Sequence, residues 1–291
     1  MKKLFVALIL GLFLLFGGSG GGDLYAFDQL PGAFPEWADV DETDQTPDMT
    51  NFVIHVITRG TAEVNYPKLD DRYMADHWTK GTGFFHREGS GFYVGKDLIV
   101  TAAHVVVPDH ALARDPDCSF MMWEAPVSRV LSQLIYVNGY TAEILYSNIE
   151  NDLAILRVTC PHPFKALYQP TPSVCFFTGE ALAVMVMTRT EEGEMIEACH
   201  ELRYGTLEKH RAITVEGLEH TLPWFSLNDI TIKVLIIPGD SGSPLFAFID
   251  GKPHIVGINR AGGPEHLYAA RIDPLIPILE GEGVKIFREQ R

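Results

Sequence analysis

Residues 238–245 read Pro-Gly-Asp-Ser-Gly-Ser-Pro-Leu, and they stand between two strongly apolar runs, "ITIKVLII" (230–237) and "LFAFI" (245–249). Gly, Asp, Ser and Pro all favour turns, so the octapeptide fits a plain turn between two buried strands. The same letters also fit a nucleophilic hydroxyl held on a tight loop. The choice between these readings depends on what else the chain offers.

Two further segments bear on it. "VTAAHVV" (100–106) puts His104 at the end of an apolar strand, and "NDLAILRV" (151–158) puts Asp152 just before another. A serine hydroxyl becomes a useful nucleophile only when a base takes its proton. An imidazole does that only when it is held in the right tautomer, which a buried carboxylate on its other nitrogen achieves. Taken singly, a histidine after a strand is a packed or surface residue, and Asn-Asp before a strand is a turn. The joint occurrence of His104, Asp152 and Ser241 carries the weight.

With "TAAH", "NDLAIL" and "GDSGSP" in the order His, Asp, Ser, the chain resembles the chymotrypsin-like (trypsin-like) serine proteases. Subtilisins and α/β-hydrolases use other orders, and Ser243 breaks the G-x-S-x-G elbow of the latter. "GTGFF" (Gly81 to Phe85) and "HIVGIN" (His254 to Asn259) extend the likeness over residues 50–285. The resemblance implies an all-β fold of two six-stranded antiparallel β-barrels packed together. It implies a short C-terminal helix, and peptide or protein substrates cleaved through an acyl-enzyme without cofactor or metal. His104 would be the general base, Asp152 its orienter and Ser241 the nucleophile. The amides of Gly239 and Ser241 would form the oxyanion hole. Gly242-Ser243 after the nucleophile resembles the glutamyl-endopeptidase (V8-like) branch, and "VGIN" resembles HtrA-type proteases, although the 50 residues after Ser241 leave no room for a PDZ domain. By family position the substrate pocket would involve Leu235, Asn259, Arg260 and Ala261. Leu235 is not an acid and Asn259 is not a histidine, so an apolar or small residue before the scissile bond is expected, unless Lys233 or Arg260 favours an acid. Asp240 needs a partner: the mature amino terminus, an arginine or backbone amides. The reading from another class is a catalytically silent protein of the same fold that binds through the groove.

Composition agrees with a globular chain: 46% hydrophobic and 21% charged residues, with a net charge of -15 over 291 residues. That acidity excludes nucleic acid as a partner, because phosphate binding needs clustered Lys and Arg. Lys2 and Lys3 precede the apolar run "LFVALILGLFLLF" (4–16) and then "GGSGGG". This pattern predicts a signal peptide over residues 1–22, hence secreted or periplasmic export, or else a short uncleaved membrane anchor. Residues 23–50 hold eight acids and no Lys or Arg, which reads as a solvated linker or a pro-segment.

From Asn51 onward, short β-like runs, among them "GTGFFHREG", "GFYVG" and "LIYVNGYTAEILYS", alternate with turn residues, as in sandwiches and barrels. Residues 51–162 would form the first barrel and 163–291 the second with the helix, the Pro-rich stretch 161–173 being the seam. Asp250-Gly251 predicts a hairpin, and Asp273, Pro274 and Gly281 predict the cap, first turn and stop of the helix. Cys118, Cys160, Cys175 and Cys199 allow pairings 118–160 and 175–199, each within one half of the chain, or free thiols. No zinc-site spacing occurs.

Overall fold

In a computed structural model, the structure describes residues 51–67, 78–114, 122–172, 181–192, 195–209, 229–232, 239–249, 252–262 and 267–288. The expected signal and acidic leader lie outside them. Strands β1 (Val53–Pro67), β2 (Trp78–Gly95), β3 (Leu98–Thr101), β4 (His110–Arg114), β5 (Met122–Val137), β6 (Tyr140–Asn148) and β7 (Leu153–Val158) form one antiparallel sheet. Pairing of β1 with β5 turns the order β1-β2-β3-β7-β6-β5 into a ring of six strands. Strands β8 (Ala181–Glu192), β9 (Met195–Lys209), β10 (Asp229–Ile232), β11 (Pro244–Ile249), β12 (Lys252–Gly262) and β13 (Leu267–Arg271) close a second barrel in the order β10-β13-β12-β11-β8-β9. This is the two-barrel, nearly all-β architecture that the resemblance implies.

Strands at the centre of the molecule are buried on both faces, which is why they read as unbroken apolar runs. "LIVT" in β3 and "LAIL" in β7 are buried throughout, and so is "PLFA" in β11. Their core is continuous between the barrels. Phe52 meets Tyr168 and Phe246 edge-on or tilted at 5.2 and 6.2 Å, and Tyr168 meets Phe246 at 5.0 Å. The segment between the barrels is pinned to the second one, since Thr171 N donates to Ile255 O and Ile255 N to Gln169 O. β1, β2 and β5 run on beyond this core. There β4 bridges β2 and β5, and small side chains (Ala62, Ala111, Ala113 and Ala125) pack with Phe85 and Val64 in a narrow second core.

Several local expectations change. "GTGFFHREG" and "GFYVG" are one strand, β2, because its glycines sit within the ladder rather than at turns. "LIYVNGYTAEILYS" is two strands, because Asn138 (φ 47°) and Gly139 (φ 86°) make the left-handed turn between Val137 and Tyr140. Asp273 does not cap the terminal helix. It opens a 3₁₀ turn, Asp273–Leu275, and its carboxylate accepts from Arg271 Nε at 3.2 Å. The α-helix that follows, Ile276–Gly281, ends at the expected Gly281, and Gly283 (φ 81°) supplies the left-handed residue after it. The flanks of the Asp250-Gly251 hairpin pair as expected, Ile249 with Lys252. Cys160 is a free thiol among the described residues, set against the Thr141 hydroxyl at 4.0 Å. Cys118 and Cys175 lie outside the described residues, and so does the Cys199 side chain.

Candidate active site

After β3 the chain makes a single helical turn, α1 (Ala103–Val106), which carries His104. The first amides of a helical turn have no partner within it. Asp152 supplies both acceptors here. Its carbonyl takes the Ala103 amide at 3.1 Å, and its Oδ1 takes the His104 amide at 2.8 Å. Asp152 Oδ2 lies 2.8 Å from His104 Nδ1. An ionised carboxylate only accepts, so Nδ1 carries the proton and the Nε2 lone pair remains for a substrate proton.

The Asp152 backbone is itself shaped for this. It has φ 52°, a left-handed conformation that Asp tolerates, and its amide closes onto Ile149 O at 3.1 Å. Asn148 Oδ1 takes the Asn151 amide at 2.9 Å and tightens the same turn. The segment is thus the turn that Asn-Asp suggests, and the turn is what aims the carboxylate. Asp152 is buried, while the His104 side chain is 27% exposed, enough for one edge of the ring to meet a ligand.

Ser241 comes from the other barrel, on the loop leading into β11. Gly239 (φ 100°) and Gly242 (φ 92°) both lie in the left-handed region. A Cβ at Gly242 would overlap Ser90 O, so glycine is required there by space as well as by conformation. The loop is tied down almost entirely through its backbone. Ser241 O accepts from Ser90 N at 2.6 Å, Gly239 O from Ser90 Oγ at 2.9 Å, and Asn259 O from Gly242 N at 2.7 Å. Thr101 Oγ1 in turn donates to Ser90 O at 2.6 Å, and so joins the loop's support to β3.

Of the residues expected in the substrate pocket, Leu235 lies outside the described residues, and Ala261 pairs with Tyr268 in the ladder. Asn259 is fully buried, and its Nδ2 donates to Asp240 O at 2.9 Å, so it braces the Ser241 loop. Arg260 turns its side chain inward: Nε approaches Asp152 Oδ2 at 3.4 Å, and the Arg260 carbonyl accepts from Ser241 Oγ at 3.2 Å. Asp240 is buried beneath the loop, its carbonyl also accepting from Ser243 N at 3.0 Å.

Sequence reasoning missed Ser90, Thr101 and the inward turn of Arg260. A serine flanked by glycines inside a strand ("GSG", 89–91) and an arginine inside a buried run ("GINRAG", 257–262) are the signals that were there to be read.

The family model of the trypsin-like peptidase domain matches residues 89–258, more than half of the chain, and this span holds His104, Asp152 and Ser241. The chain belongs to the trypsin-like peptidase family. It is therefore a peptidase with a chymotrypsin-like fold. No curated protein sequence matches it. Among solved structures it is similar to the HtrA-type protease AlgW crystallised with a decapeptide, with a TM-score of 0.50 and 15% identity. That match covers 82% of this chain and 66% of that one, so this chain spans just under two thirds of AlgW. It is also similar to the active form of the Rv3671c protease from M. tuberculosis, with a TM-score of 0.49 and 16% identity, covering 92% of this chain and 97% of that one. At 15% identity the likeness to AlgW is one of fold.

Proposed function

We propose that this trypsin-like peptidase is an exported serine endopeptidase acting on peptides or proteins. The observation that carries the reading is the contact of His104 Nδ1 with Asp152 Oδ2 at 2.8 Å, which makes Nε2 the basic nitrogen of the ring. In this mechanism His104 Nε2 takes the Ser241 proton as Oγ bonds to the substrate carbonyl carbon. The amides of Gly239 and Ser241 hold the oxyanion, an interaction typically worth about 3–4 kcal/mol per donor. The C–N bond breaks as His104 gives the proton to the leaving amine. Water, deprotonated by the same imidazole, then hydrolyses the acyl-enzyme. Asp152 keeps the ring in its tautomer and stabilises the imidazolium.

Ser241 Oγ donates to the Arg260 carbonyl at 3.2 Å, and it turns from there to the imidazole when substrate binds, since catalytic hydrogen bonds often tighten only in the substrate complex. With the Arg260 guanidinium turned to Asp152, the reading of the pocket as apolar or small gains support, since one of the two cations that could favour an acid is occupied.

A fluorophosphonate probe tests the proposal. Labelling of purified protein at Ser241, abolished in His104→Ala, is the expected result. Folded protein that is never labelled, with or without residues 23–50, would replace it with the silent binding reading.

A further inference from the structure

We infer that Arg260 is a positioning residue that joins the two halves of the site, its guanidinium fixing Asp152 of one barrel and its carbonyl holding Ser241 of the other. The inference rests on the serine-peptidase reading above and adds a component to it.

The argument begins with burial. The Arg260 and Asp152 side chains are 3% and 2% exposed, so neither charge is compensated by water. Buried ions persist where they pair, and removing one partner strands the other. Asp152 has its acceptor sites committed on both oxygens: Oδ1 to the His104 amide, Oδ2 to His104 Nδ1 and Arg260 Nε. Without Arg260, the carboxylate keeps only its two bonds to His104, and the second barrel no longer restrains Oδ2 against turning away from the ring nitrogen.

Geometry adds the second half. Arg260 lies in β12, whose neighbour Asn259 accepts the Gly242 amide and donates through Nδ2 to Asp240 O. Asp152 opens β7 in the first sheet. A single residue thus touches the nucleophile through its backbone and the orienting acid through its side chain. Lysine could not do the same, because its charge is a point at the end of a flexible stem, whereas Arg offers Nε–H along a rigid plane.

The test measures peptide hydrolysis by wild type, Arg260→Ala, Arg260→Gln and Arg260→Lys, each checked for folding by circular dichroism. Arg260→Ala is expected to lose about 100-fold in kcat, the size of a small misplacement of a catalytic group, with KM moved less than about threefold. Added guanidinium ion is expected to recover about tenfold of that loss, and to do nothing for Asp152→Ala. The low-field proton resonance of the His104–Asp152 pair should broaden or vanish in Arg260→Ala and return with guanidinium. Full kcat in a folded Arg260→Ala variant overturns the inference. A loss confined to KM overturns it too and makes Arg260 a substrate contact. A kcat loss that guanidinium never rescues, or three variants none of which folds, makes it a purely structural strut. Fluorophosphonate labelling of the wild type keeps the levels apart. An unlabelled wild type defeats the serine-peptidase reading, whereas a labelled wild type with a fully active Arg260→Ala defeats only this inference.

Discussion

His104 and Asp152 are held by side-chain chemistry within one sheet, whereas Ser241 is held by backbone hydrogen bonds and the absence of side chains. On the first side, one carboxylate caps the helical turn and orients the ring. On the second, Ser90, Gly239, Gly242 and Asn259 fix the loop through main-chain groups, with few side chains taking part. The difference decides what each half can tolerate. A side-chain site fails chemically when one functional group changes and can keep its shape. A backbone site fails sterically when an atom is added.

Asp152→Asn probes the first kind of failure at its strongest. The amide can present N–H to Nδ1 and force the wrong tautomer, so kcat should fall by about 10⁴-fold. The loss of stability should stay below that effect on the rate, because the turn keeps its backbone bonds to Ala103 and Ile149 and only the buried Arg260 charge loses its carboxylate. Steady-state kinetics beside a melting curve check this. A parallel collapse of stability would mean that the two halves are not built differently.

Gly242→Ala and Gly239→Ala probe the second kind and separate its two causes. Both glycines have a left-handed φ, but only Gly242 is boxed in: an added Cβ would overlap Ser90 O and stand 2.6 Å from Thr101 Oγ1. Around Gly239 such a Cβ meets nothing within 4 Å among the described residues. Gly242→Ala should therefore destabilise the protein by about 3 kcal/mol through overpacking on top of strain. Gly239→Ala should cost only the conformational strain, about 1–2 kcal/mol. Denaturant titration of both variants reads the gap. Equal losses would show that φ alone governs the loop.

Ser90→Ala is a smaller intervention on the same loop. It removes the hydroxyl bond to Gly239 O and leaves the Ser90 N to Ser241 O bond in place. About 1 kcal/mol of stability should be lost, with a measurable fall in kcat if Gly239 must hold its amide towards an oxyanion. An unchanged kcat would put the support of Gly239 elsewhere.

This division also explains what the sequence could reveal. The functional groups were readable in both halves, because an imidazole, a carboxylate and a hydroxyl are named by their letters, and "TAAH", "NDLAIL" and "GDSGSP" put them in order. The barrels were readable for a related reason: runs buried on both faces, such as β3 and β7, are apolar throughout. The backbone bonds that hold the loop were not. Nothing in a letter says that Ser90 N meets Ser241 O across 151 residues of chain, since any residue but proline offers the same amide. Strand boundaries failed where glycine has two meanings, a turn at Gly139 and a place in the ladder at Gly89 and Gly91. Arg260 shows a further limit. A cation in an apolar strand announces that it has a partner, but Asp152 lies 108 positions away and only the fold brings them together.

The smallest effect is expected where side-chain pairing meets solvent. Arg87 Nη2 donates to Asp109 Oδ1 at 2.5 Å, just beyond the helical turn that carries His104, yet the Asp109 side chain is 58% exposed. Partial burial pushes its carboxyl up, but Arg87, the residue's own amide and His110 outweigh it and hold the group below the usual 3.8. A carboxyl depressed in the folded state contributes stability above its unfolded pKa and loses it as pH falls through the folded value. Asp109→Asn should therefore lower stability slightly at pH 6, by a few tenths of a kcal/mol after solvent screening. The gap to wild type should begin to close as pH falls through 3.8 and vanish only below the depressed folded value, where both carry a neutral side chain. Urea titrations at the two pH values measure it. A gap that persists at low pH would mean that Asp109 acts through its shape rather than its charge. A gap as large as that of Ser90→Ala would place an exposed ion pair on a level with a buried hydroxyl bond, against the contrast drawn between the two halves.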